Sequence, residues 1–129
     1  MFNRKKQPAI RSLIAEATRL DGDLRFTDGL RIDGVVTGNV QAESGKPSLL
    51  VISETATVKG EVHAQHIIVN GTVKGPVFAA VMLELQPKAR IEGDIVYTGL
   101  EMHEGAIVAG QLLPASADKP VLKLAANNS

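Results

Sequence analysis

Leu30-Arg-Ile-Asp-Gly-Val-Val-Thr-Gly-Asn-Val40 decides the reading of this chain, because residues 67 to 77 repeat it as Ile67-Ile-Val-Asn-Gly-Thr-Val-Lys-Gly-Pro-Val77. In both copies every second position is aliphatic or glycine: Ile32, Gly34, Val36, Gly38 and Val40, then Val69, Gly71, Val73, Gly75 and Val77. The positions between are mostly polar. Apolar residues at a period of two indicate extended chain with one buried face. A glycine in a buried position marks a bend, or a place with no room for a side chain. Recurrence at a fixed spacing marks an architecture of stacked repeats.

Two kinds of unit alternate along the chain. One reads aliphatic, charged, Gly, acid, aliphatic: Leu20-Asp-Gly-Asp-Leu24, Val58-Lys-Gly-Glu-Val62 and Ile91-Glu-Gly-Asp-Ile95. The other holds Gly38, Gly75 and Gly110. With the marker glycines at 22, 38, 60, 75, 93 and 110, the steps are 16, 22, 15, 18 and 17 residues. The long step contains Glu43-Ser-Gly-Lys-Pro-Ser48, a turn-rich insertion. Six units of this length are too long for single strands, which average about 5–6 residues. Each suits three short strands joined by corners, one turn of a parallel β-helix. Aliphatic runs such as Leu49-Leu-Val-Ile52 fit parallel strands. An up-and-down barrel would need hairpins at places such as Asn70-Gly71, where the alternation continues unbroken through Val77. The expected fold is therefore an all-β parallel solenoid of about six turns. Residues 1–11 form an N-terminal tail, 12–113 the β-helix domain and 114–129 a C-terminal tail. Ile10, Leu13, Ile14 and Ala17 have helical spacing, but strand is preferred from about Leu13 because Ala17 to Leu24 already resembles the later units.

Composition fits a narrow aliphatic interior: 44% of residues are hydrophobic, yet only 3% are aromatic. With no Cys there are no disulfides and no thiolate metal sites. Zero formal net charge gives no global field toward nucleic acid. Neither a signal peptide nor an apolar membrane span is expected. At the N-terminus, Met1 and Phe2 precede Arg4, Lys5 and Lys6, and Pro8 follows. An apolar tip beside a basic cluster suits an anionic membrane surface. Each basic residue contributes about 1 kcal/mol there and burial of Phe2 roughly 1.5–3 kcal/mol, weak for one chain but multiplied in an array.

The alternating Gly-acid-aliphatic units, the six turns of about 17 residues and the Met-Phe-basic start together resemble the bactofilins, bacterial cytoskeletal polymers. The resemblance covers roughly residues 12–113, with Met1, Phe2, Lys5 and Lys6 matching the family's membrane-binding start. It implies a right-handed parallel β-helix that assembles end to end into non-polar filaments without nucleotide. It also implies attachment to the inner face of the cytoplasmic membrane, and a scaffolding role for cell-wall synthesis or remodelling enzymes in shaping the cell.

Elementary physics leads to the same activity. A parallel β-helix ends in a rung of unpaired N–H and C=O groups and an open apolar cross-section. Soluble solenoids usually cover both ends. Here neither end carries a convincing capping helix, and the first and last units are as apolar as the inner ones. The expected polymer contacts are Leu13, Ile14, Leu20 and Leu24 at one end and Ile107, Val108, Leu112 and Leu113 at the other.

No catalytic, cofactor or metal site is expected. His63 and His66 lie at i and i+3, on opposite faces of a strand. His103 has no partner that sequence can place. Asp21 with Asp23, and Glu92 with Asp94, are carboxylate pairs that turns and solvated faces explain without acid–base chemistry. Asp23, Glu61 and Asp94 are expected to stack two turns apart, with Lys59 and Lys74 between them in sequence. The alternative class is a β-helix acyltransferase or a carbohydrate-binding solenoid; against the acyltransferase, the marked aliphatics recur every four residues rather than six. No phosphate loop accompanies them, so nucleotide is not an expected ligand.

Overall fold

A computed structural model describes residues 7–115. Fifteen strands follow one another: β1 (Ile10–Ile14), β2 (Arg19–Asp21), β3 (Leu24–Phe26), β4 (Asp28–Ile32), β5 (Val35–Thr37), β6 (Val40–Ala42), β7 (Ser48–Ile52), β8 (Thr57–Lys59), β9 (Val62–Val69), β10 (Thr72–Lys74), β11 (Val77–Leu85), β12 (Arg90–Glu92), β13 (Ile95–Met102), β14 (Ile107–Ala109) and β15 (Leu112–Pro114). All recorded pairings are parallel, and the described residues contain no α-helix. The chain is a parallel β-solenoid of six turns.

Each turn visits three walls. Wall I holds β1, β4, β7 and then the second halves of β9, β11 and β13. Wall II is the six-stranded sheet β2-β5-β8-β10-β12-β14. Wall III holds β3, β6, the first halves of β9, β11 and β13, and finally β15. The later turns run from wall III into wall I without a break in the strand, and a register shift between Ala79 and Met82 marks the bend. The Glu43–Ser48 insertion sits at this same soft corner, between β6 and β7, where it lengthens a turn without disturbing a wall.

The opening alternation acquires its meaning here. Ile32, Val36 and Val40 lie one on each wall, all with 0% exposure. The stretch forms three strands separated by two corners, as the unit length implied, and the parity of the side chains survives both. Asn70-Gly71 is likewise a corner between β9 and β10, not a hairpin. Four columns of stacked side chains make up most of the core, and Phe26, Ala42, Ala64 and Ala79 fill wall III beside them. One, on wall II, runs Leu20, Val36, Val58, Val73, Ile91 and Val108. Another, on wall III, runs Leu24, Val40, Val62, Val77, Ile95 and Leu112. Two more lie on wall I, ending at Leu100 and Met102.

The marker glycines form a column of their own at the corner between walls II and III. Their φ values lie between 128° and 157°, a region that residues with a Cβ rarely adopt. A Cβ on Gly38 or Gly75 would also strike the carbonyl of the glycine one turn earlier. At the corner between walls I and II, Gly71 nests beneath the four-residue turn closed by Ala56 N donating to Ser53 O, and its Cβ would meet the carbonyl oxygens of Ser53 and Ala56. Strand structure begins at Ile10, ahead of the boundary placed at residue 12, because Ile10 already pairs with Gly29 of β4. The last strand among the described residues ends at Pro114, which pairs with Tyr97.

Candidate polymerisation surfaces

The solenoid leaves two open rungs. At the N-terminal mouth, β1, β2 and β3 each have a partner on one edge only. At the C-terminal mouth the same holds for β14, β15 and the second half of β13. Among the described residues the backbone groups on these edges have no intramolecular ladder, which is the geometry of a template for further strands.

Register divides the eight expected contact residues into two sets. Ile14, Leu20 and Leu24 stand in core columns at the N-terminal mouth, and Val108 and Leu112 in core columns at the other. Their inner equivalents are fully covered, whereas Leu112 is 39% exposed. Leu13, Ile107 and Leu113 stand instead in outward columns, in register with Arg31, Arg90 and Val96. They are exposed on the side walls close to each mouth. Sequence reasoning missed Met102, which ends a wall I core column and is 44% exposed. Its signal is register with Leu85, one turn earlier.

The carboxylates near the glycine column act on neighbouring rungs. Asp23 Oδ1 accepts from Asn39 N at 2.9 Å, Asn39 Oδ1 from Glu61 N at 2.9 Å and Asp94 Oδ1 from Gln111 N at 3.0 Å. These contacts tie successive turns along one outer column. Asp21 instead pairs with Arg19 at 3.2 Å. Lys59 and Lys74 are register partners on the other side of the glycines, followed by Glu92.

The comparisons with known proteins fit this geometry. The bactofilin family model, described as polymer-forming cytoskeletal, matches residues 12–113. The chain belongs to the bactofilins. Among curated proteins, this bactofilin is 23% identical over 111 residues to Bactofilin BacO of Myxococcus xanthus (strain DK1622), covering 86% of this chain and 85% of that relative. No solved structure matches it.

The histidines of this bactofilin take three different places. His63 lies on the outside of wall III, stacked on Phe78 with ring centroids 4.3 Å apart, its Nε2 3.0 Å from Glu61. His66 is buried, so the two do not present themselves together. His103 Nε2 stands 3.2 Å from Glu84 and 3.1 Å from Glu101. Asp33 is held below the usual carboxylate range, first by the Ser53 hydroxyl and then by Arg31 at 2.8 Å. The expected membrane residues Met1, Phe2, Arg4, Lys5 and Lys6 lie outside the described residues, as does the segment after Ala115.

Proposed function

We propose that this bactofilin is a non-enzymatic scaffold that assembles end to end, without nucleotide, through its two open mouths. The observation that carries the reading is the pairing of free strand edges with uncovered core columns at both ends: Ile14, Leu20 and Leu24 at one, Met102, Val108 and Leu112 at the other. Stacking a second copy on a mouth pairs the edge groups and covers three or four aliphatic side chains. At about 1.5–3 kcal/mol each, that gives ~5–10 kcal/mol, to which the newly paired edge groups add, before the cost of association.

The basic, apolar-tipped start brings the filament to the inner face of the cytoplasmic membrane. A row of such weak anchors binds an anionic bilayer where one alone would dissociate. Held there, the polymer positions cell-wall synthesis or remodelling proteins and so contributes to cell shape. Electron microscopy of purified protein without nucleotide is expected to show filaments, and monodisperse particles at every concentration would refute the scaffold reading. Phe2→Ala, or loss of Lys5 and Lys6, is expected to lower co-sedimentation with anionic liposomes while filaments persist. Unchanged binding would remove the N-terminal segment from the membrane contact.

A further inference from the structure

Glu84 and Glu101 are register partners in β11 and β13, so their backbones are one rung apart, about 4.8 Å. Like charges directly opposite in a parallel ladder repel, and two free carboxylates there would splay apart. Instead both turn toward one atom, the Nε2 of His103, at 3.2 and 3.1 Å. A single imidazole nitrogen carries at most one proton and cannot give a full hydrogen bond to both oxygens. A cation at the centre of the group would satisfy all three ligand atoms at once.

The dimensions suit such an ion. The three ligand atoms lie within 4.8 Å of one another. Around tetrahedral zinc, with bonds of about 2.0–2.2 Å, ligand atoms stand about 3.3–3.6 Å apart, close to the two nitrogen–oxygen separations here. The ligands are also held in place. His103 N donates to Leu85 O at 2.8 Å, fixing the start of the corner after β13, and Gln86 Nε2 donates to the Glu84 carboxylate at 3.2 Å. Outer contacts of this kind orient metal ligands. The His63–Glu61 pair offers a contrast on the same molecule: one carboxylate, and an imidazole stacked on Phe78.

We propose that Glu84, Glu101 and His103 form a divalent-metal site on the outside of wall I, in the last two turns. Its one nitrogen and two oxygen ligands take zinc or an ion of similar preference, with the remaining position open to water. All three side chains sit on the outer wall, with Glu101 on the free-edge half of β13.

The test is calorimetric titration of the full chain with Zn2+, alongside the visible absorption of Co2+ added as a spectroscopic probe. Saturable binding of one ion per chain is expected, with a Co2+ spectrum distinct from that of the aqueous ion. His103→Gln and Glu101→Gln should each lower Zn2+ affinity at least tenfold and abolish the Co2+ signature, while His63→Gln leaves both unchanged. Glu101 is well exposed, so its variant reads the site even if the substitution at His103 perturbs the corner. Absence of saturable binding, binding retained in both His103→Gln and Glu101→Gln, or loss in His63→Gln would overturn the proposal.

Discussion

The inner turns and the terminal turns are built from the same unit and differ only in what lies beside them. Val58 and Val73, in the middle of the wall II column, are completely covered, and Val108 at its end is only partly so. Ile95 is 0% exposed, and Leu112, its register partner in the last turn, is 39% exposed. No polar residue replaces the aliphatic at either mouth except Ser12, which begins one of the wall I columns. The lesson is that a repeat does not encode its own burial. Each turn supplies one face of a contact, and the neighbour supplies the other. At the mouths no described residue supplies the neighbour, so the same aliphatic columns stand partly uncovered there.

The sharpest way to break this contrast is to place the same charge in both regions. Val58→Lys buries an ammonium in the aliphatic core and should cost more than about 4 kcal/mol, enough to abolish the cooperative thermal transition. Leu112→Lys should leave β-rich circular dichroism intact and change stability by less than about 1 kcal/mol, yet stop filament growth seen by electron microscopy. If Leu112→Lys polymerises normally, the C-terminal mouth is not a joint.

Gly75→Val tests the inner stacking from the backbone side. It combines an unfavourable φ of 154° with a clash against the Gly60 carbonyl, and a loss of roughly 3 kcal/mol or more is expected in denaturant unfolding. Gly45→Val, on the inserted loop, meets no atom within 4 Å of the added Cβ, although its φ of 83° still carries strain. It should cost clearly less, and equal losses at both sites would contradict the stacked column.

Smaller effects sharpen the picture at the outer columns. Asp94→Ala removes the acceptor for Gln111 N in the last turn, and about 0.5–1.5 kcal/mol should be lost. The smallest effect concerns acid. The folded carboxyl of Asp33 is depressed below its ordinary value of 3.8, so its contribution is complete above that pH and disappears as pH falls through the folded value. Asp33→Asn should therefore lower stability at neutral pH slightly and flatten its decline in acid. An unchanged acid limb would mean that Ser53 and Arg31 do not hold the charge.

Much of the fold was legible because its interior is periodic. Ile32, Val36 and Val40 recur every four residues, and the glycines between them fall where the chain must turn. The alternation alone does not mark the corners, because a corner that preserves side-chain parity leaves the same pattern; the length of the unit pointed to three strands per turn. The contact residues were partly legible for the same reason. Aliphatic identity marked Leu112 and Leu113 alike, but adjacent residues in a strand face opposite ways, and only register assigns the first to the core and the second to the wall. His103 was opaque, because its partners Glu84 and Glu101 reach it through the stacking of turns.

The sequence by itself determined the repeat, the number of turns and the parallel stacking, because each follows from local spacing of aliphatic residues and glycines. The tertiary structure alone decided which side chains share a column, which of the end residues face the mouth, and which charged groups converge on the outer wall. Those depend on the register between turns, and register is set by backbone pairing and corner geometry between residues some fifteen to twenty-two positions apart, where no local pattern of residues reaches.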